Sequence, residues 1–183
     1  MFGFGKKKTP QEEFMADMRA AMNNPKTTCQ QDIAEMLWAK YKPLTENIKT
    51  PEDFHRVYDL VGQTVSNLEW PPAAFMWMGD VCEGVLQKPT QAAYWFKKAA
   101  DSGEPNGARC YADMIMSGAV EGDKSEAFAY YQRASEGGVA EASFVLGEFL
   151  RNMGRREDAL KAYRLSLSQG YAMAQMRIDQ MEV

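Results

Sequence analysis

The stretch YWFKKAADSG at residues 94–103 recurs twice further along the chain, and this recurrence decides the fold class. It returns as AYYQRASEGG at 129–138 and, more loosely, as KAYRLSLSQG at 161–170. Each copy contains an aromatic anchor, and the anchors Phe96, Tyr131 and Tyr163 follow one another at intervals of 35 and 32 residues. A repeat of this length indicates stacked antiparallel helix pairs, in which small loop changes preserve the register.

A second phrase precedes each of these stretches and supplies the first helix of the pair. AAFMWMG at 73–79 aligns with GARCYAD at 107–113 and with EASFVLG at 141–147, at successive shifts of 34 residues. Small residues let two helices cross at short distance, so we expect six alanines at helix contacts: Ala74, Ala92, Ala108, Ala127, Ala142 and Ala159. We expect the glycines at 103, 138 and 170 to end the second helices in a left-handed conformation.

The N-terminal part of the chain is also predicted to be helical, without a detectable repeat. Apolar residues recur there at intervals of three and four, and prolines divide the segments. Thr9-Pro10-Gln11-Glu12 is a capping box with proline at the first helical position. The sequence therefore predicts a flexible basic tail over 1–9 and a three-helix section over 10–72.

The repeated phrases resemble the Sel-one-like (Sel1-like) repeat, a branch of the tetratricopeptide (TPR-like) superfamily. The second helix of that family carries an aromatic pair, a basic pair, two alanines, an acidic residue and then glycine, as residues 95–103 do here. Asp113 and Asp179 depart from the pattern by standing where the family prefers glycine, and residues 142–173 keep the tighter spacing of a plain tetratricopeptide unit.

This resemblance implies an all-α fold, namely a right-handed α-solenoid of antiparallel helix pairs with about ten helices in the whole chain. The repeats are expected over 73–183, as units 73–107, 108–141 and 142–173 followed by a partial capping helix at 174–183. The family has no common active site, so the resemblance implies no catalytic residues. It implies a binding or scaffolding role and leaves the partner open.

Composition argues against several other classes of function. With 21 Lys and Arg against 25 Asp and Glu, the chain lacks the positive charge that phosphate backbones attract, so no nucleic-acid partner is expected. Cys29, Cys82 and Cys110 are odd in number and widely spaced, which predicts neither disulfides nor a metal site and indicates a reducing, cytoplasmic setting. His55 is the single histidine, so the usual metal and acid-base sites lack their partner, and no cofactor is expected.

These observations predict a non-catalytic scaffold or adaptor that binds a protein or peptide partner of unknown identity. Two alternatives remain. One is a peripheral membrane-associated adaptor acting through the lysine tail at residues 6–8, although so few charges bind a membrane only marginally. The other is an enzyme built on the solenoid. The oligomeric state is left open by the sequence.

The partner is expected on the first helix of each pair, which lines the concave side in this superfamily. Residues flanking a core column of Met78, Ala112, Leu146 and Ile178 then form the binding strip: Met76, Asp80, Glu83, Cys110, Met114, Ser117, Phe144, Glu148, Arg151, Met176 and Gln180. An apolar strip with acidic flanks suits a peptide with apolar anchors and a few basic residues. The competing interpretation is that the strip is core, covered by residues 10–70.

Overall fold

The computed structural model describes residues 71–182 and six isolated residues before them, at positions 16, 20, 39, 50, 52 and 53. Over 71–182 the chain forms seven α-helices and no strand, which confirms the all-α class. The helices are α1 (Pro72–Gly84), α2 (Pro89–Asp101), α3 (Pro105–Met116), α4 (Lys124–Glu136), α5 (Ala140–Asn152), α6 (Arg156–Ser168) and α7 (Met173–Glu182). The described part thus holds seven helices, not about ten, and the three predicted within 10–72 lie outside the described residues.

The chain divides into two compact units, Met1–Ala74 and Phe75–Val183, and the repeats occupy the second. Within that unit α3 packs against α4 and α5 against α6 as helix pairs, while α2 contacts α3, α4 contacts α5 and α6 contacts α7. Helices α2 to α7 therefore pack mainly on their neighbours in sequence, as in a solenoid, and α1 meets α2 where Gly79 lies against the Phe96 ring. The right-handed twist of the stack and the limits of the repeat units stay predictions. The second and third helix pairs begin at Pro105 and Ala140, two or three residues before the predicted units.

Local sequence explains where the helices begin and end. Pro89 and Pro105 open α2 and α3 at positions that need no backbone donor. The Asp123 carboxylate accepts a hydrogen bond from the Glu126 backbone N–H at 2.8 Å and caps α4. Gly103, Gly138 and Gly170 follow α2, α4 and α6 with φ of +90°, +91° and +106°, which confirms the predicted left-handed helix ends.

The aromatic anchors lie in the core, as the repeat predicts. Phe96, Tyr131 and Tyr163 are 1%, 3% and 0% exposed. In the first and third pairs the ring covers a glycine, because a Cβ on Gly79 would lie 2.3 Å from the Phe96 ring and one on Gly147 would lie 2.5 Å from the Tyr163 ring. All six alanines expected at helix contacts are buried as well. The close helix contacts predicted from small residues are therefore confirmed.

Candidate protein-binding surface

The core column that sets the register of the first helices is buried as predicted. Met78, Ala112, Leu146 and Ile178 are 3%, 0%, 8% and 5% exposed. Because side chains two positions away on a helix point about 160° away from such a column, their neighbours are candidates for a solvent-facing surface. The buried column thus fixes the helical register of α1, α3, α5 and α7.

Ten of the eleven predicted partner-binding residues retain some exposure. Asp80, Glu83, Ser117, Met176 and Gln180 are exposed, whereas the partly buried members are Met76, Cys110, Phe144, Glu148 and Arg151. We call these ten residues the A-helix surface, because they lie on the first helix of each pair or, for Ser117, at its end. Whether they form one continuous groove for a partner stays a prediction.

Met114 does not belong to this surface. It is 5% exposed and lies in the hydrophobic core that joins α1 to α5. Phe144 is partly core as well, since its ring lies 5.5 Å from the Tyr163 ring and 5.2 Å from the Tyr171 ring. The apolar strip predicted from the sequence is therefore partly core, and the charged residues beside it supply more of the accessible surface. Residues 10–70, which could cover the strip, lie outside the described residues.

Two carboxylates on α1 dominate the first part of the A-helix surface. Asp80 and Glu83 are both exposed, and within the described residues neither forms an ion pair or a side-chain hydrogen bond. Partial burial and the like charge of Glu83 raise the pKa of Asp80, and the Arg109 guanidinium offsets this only in part. The free protein thus holds two negative charges close together without a full counter-charge.

Arg109, the cation that interacts with Asp80, forms an ion pair with a carboxylate of its own helix, α3. Its Nη1 lies 2.6 Å from Asp113 Oδ2, one helical turn further along, and its Nη2 lies 3.4 Å from the Cys110 sulfur. Asp113 also accepts a hydrogen bond from the Tyr131 hydroxyl at 2.6 Å. Arg109 is therefore committed mainly to Asp113, which limits how far it neutralises Asp80.

Within the described residues Glu148 on α5, unlike Asp80 and Glu83, has positively charged ion-pair partners. It accepts hydrogen bonds from the Tyr163 hydroxyl at 2.7 Å, from Arg151 at 2.6 Å and from Arg177 at 2.7 Å. Two guanidinium groups thus compensate this carboxylate, and one of them, Arg151, is itself a predicted binding residue. The acidic flank expected along the whole strip is uncompensated only at α1.

Sequence reasoning missed Arg109, Asp113 and Arg177, which tune the charge of this surface. The Arg109 and Asp113 pair was detectable as opposite charges four residues apart on one helix. The aspartate at position 113, where the family prefers glycine, gave a second signal, because its carboxylate can accept a hydrogen bond from the hydroxyl of the Tyr131 anchor. Arg177 meets Glu148 across two helices, and no local spacing predicts that contact.

The described residues contain no group of three or more His, Cys, Asp and Glu side chains placed to hold a metal ion. Burial raises the pKa of the Cys110 thiol to about 11, so this thiol is protonated and weakly nucleophilic at neutral pH. His55 and Cys29 lie outside the described residues. No described helix combines the length and apolar character that crossing a membrane requires.

Comparison with known families identifies the repeats. The family model of the Sel1 repeat matches residues 73–104 and 111–139. Residues 73–104 and 111–139 are thus Sel1-like repeats. The first match covers α1 with α2, and the second covers the C-terminal half of α3 together with α4. Both end before α5, where the tighter spacing of the third unit begins. Repeats of this family are generally protein-interaction modules without catalytic residues. No curated protein matches this chain.

Proposed function

We propose that this repeat protein is a non-catalytic scaffold that binds a peptide or protein segment through the A-helix surface. The observation that carries the proposal is the uncompensated pair Asp80 and Glu83, exposed on the first helix of the first repeat. A lysine or arginine from a partner relieves the repulsion between these carboxylates and forms charge-assisted hydrogen bonds. Met76 on the same helix offers an apolar contact beside them.

The register of the repeat supports the same surface. The residues two positions from the buried column recur on α1, α3, α5 and α7, so a partner can contact several repeats at equivalent positions. The compensated charges around Glu148 favour polar contacts there, while the α1 part favours a basic group. The preferred ligand is thus a segment with basic residues at one end and a mixed polar and apolar remainder.

Charge reversal tests this proposal. The variant Asp80→Lys with Glu83→Lys alters two exposed side chains that form no ion pair or side-chain hydrogen bond within the described residues. Glu121→Lys with Glu136→Lys is the matched control, because it changes the net charge equally at two exposed positions outside the A-helix surface. Partners are captured on the full chain, identified by mass spectrometry, purified and titrated. We expect the reversed variant to lose about tenfold or more in affinity and the control to retain wild-type affinity.

An unchanged affinity of the reversed variant would place the binding surface elsewhere. The membrane-adaptor alternative concerns residues 1–8, which lie outside the described residues, and membrane association after their deletion tests it separately. A purified full chain that carries a stoichiometric cofactor would favour the enzyme alternative.

A further inference from the structure

Helix α2 carries a partly exposed aromatic cluster around Tyr94 that the A-helix surface does not include. Tyr94 is 54% exposed, and its ring meets the Trp95 ring edge to face at a centroid distance of 5.0 Å. Trp95 also stacks on Phe75 of α1, with ring centroids 6.1 Å apart and planes 15° apart. We call Phe75, Tyr94 and Trp95 the aromatic patch. Tyrosine and tryptophan rings in such positions are enriched at protein interfaces.

A lysine ammonium lies over all three rings of the aromatic patch. Lys98 Nζ lies 5.1 Å from the ring centroid of Tyr94, 5.6 Å from that of Trp95 and 5.8 Å from that of Phe75. Within the described residues this exposed lysine has no carboxylate partner. Its neighbour Lys97 differs, because Lys97 Nζ bonds Asp101 at 2.8 Å. Cation-π attraction therefore localises the Lys98 charge without neutralising it.

The surrounding sequence makes this surface positive although the chain as a whole is negative. Residues 85–100 contain no Asp or Glu. Gln91, Trp95 and Lys98 follow one another at intervals of four and three residues, so they share one side of α2, and Lys88 stands at the N-cap position just before this helix. Lys88 likewise forms no ion pair within the described residues. Asp101 ends the helix and is committed to Lys97 and Arg133.

We infer that the aromatic patch, together with Lys88 and Lys98, binds an acidic protein segment that also carries an apolar or aromatic side chain. A carboxylate of the partner pairs with the Lys98 ammonium, which the rings already hold in place, so little side-chain entropy is lost on binding. An adjacent apolar side chain covers the exposed face of Tyr94. The preference is opposite to that of the A-helix surface, so the protein offers two surfaces to partners of opposite charge.

The chemistry favours a protein segment over an anionic membrane. Two unpaired lysines supply only about 1 kcal/mol each near an anionic lipid surface, and such a weak attraction needs further insertion to hold the protein there. Tyr94 is the one aromatic among the large apolar side chains that the described part exposes strongly. One exposed ring beside the Lys98 ammonium that the rings hold in place suits a carboxylate ligand of defined geometry.

The test is a titration of the full chain with a short synthetic peptide that alternates Glu with Phe and Leu. The matched control peptide carries Gln in place of Glu. Binding is followed by NMR at the Trp95 indole N–H, which the variant Trp95→Phe assigns. We expect a saturating shift with the acidic peptide, weaker binding when ionic strength rises from about 0.05 to about 0.5 M, and no saturation with the control peptide.

Variants locate the interaction. Lys98→Glu should weaken binding of the acidic peptide about tenfold or more, while Lys124→Glu, an equal charge change at an exposed site on α4, should leave it unchanged. Asp80→Lys with Glu83→Lys should retain this binding, so failure of the A-helix proposal and failure of this one are distinguishable. The inference is overturned if Lys98→Glu binds as tightly as wild type, if saturating acidic peptide leaves the Trp95 signal unmoved, or if only vesicles containing phosphatidylserine move it.

Discussion

Removing the hydroxyl of Tyr131 probes how the second repeat holds its helices together. This hydroxyl donates to Asp113 Oδ1 at 2.6 Å, at the position where the first and third pairs place a glycine beneath the ring. A hydrogen bond to a charged acceptor contributes about 1.5–3 kcal/mol, but the Asp113 side chain is 44% exposed. Solvent screening reduces the expected loss for Tyr131→Phe to about 1 kcal/mol of unfolding free energy.

The ring itself contributes more than its hydroxyl. Tyr131 is 3% exposed, so Tyr131→Ala should cost about 3–5 kcal/mol, as aromatic truncations in packed cores do. A loss of 1 kcal/mol lowers the melting temperature of a chain of this size by about 2–4 °C, which separates the two variants in a thermal scan. Circular dichroism at 222 nm, together with urea unfolding, measures both.

A double-mutant cycle isolates the bond between the two side chains. Tyr131→Phe and Asp113→Ala are measured alone and together, and we expect a coupling free energy of about 1 kcal/mol. A coupling below about 0.3 kcal/mol would refute the claim that Asp113 replaces the family glycine as an acceptor for the anchor. An unchanged stability of Tyr131→Ala would mean that the repeat register itself is wrong.

Three further perturbations follow from the packing and the charges. Gly147→Ala should destabilise the protein by about 1–3 kcal/mol in urea unfolding, because its Cβ would lie 2.5 Å from the Tyr163 ring, whereas Gly84→Ala, with open space around it, is the near-neutral control. Burial and carboxylate acceptors raise the pKa of Tyr131 and Tyr163. The stability that the two protonated hydroxyls contribute is therefore complete below about pH 10 and is lost as pH rises further. A melting temperature that stays constant from about pH 9 to about pH 12 would contradict this. Asp80→Asn should stabilise the free protein at neutral pH by less than about 1 kcal/mol, because it removes a partly buried charge and the repulsion from Glu83, and a lower melting temperature would show that the charge of Asp80 is compensated.

The repeat period predicted most of the fold over residues 71–182. A mechanical requirement lies behind each repeated phrase: Ala142 must be small where helices cross, and Gly170 must adopt a left-handed conformation after α6. Such requirements act on single positions, so they are visible in one sequence. The three helices expected within 10–72 lie outside the described residues, and that part of the prediction stays open.

The candidate surface was only partly predictable. Helical spacing placed Asp80 and Glu83 on one side of α1, and the register of the buried column was correct. The same spacing could not show that Met114 is core, because burial depends on which neighbouring helix covers a residue. Nor could it show that Arg177 compensates Glu148, since these residues meet across α5 and α7. Charge compensation between helices is a property of the stack and leaves no local pattern.

Site-specific photocrosslinking tests whether a partner binds on the first helices. A benzophenone amino acid is placed at the exposed position of Glu83 on α1, or at the exposed position of Gln132 on α4 as the control, and the full chain is irradiated in its native cells. We expect a discrete crosslinked protein at position 83, with a basic segment at the crosslink, and no such product at position 132. Equal crosslinking at both positions, or crosslinking at position 132 alone, would contradict it.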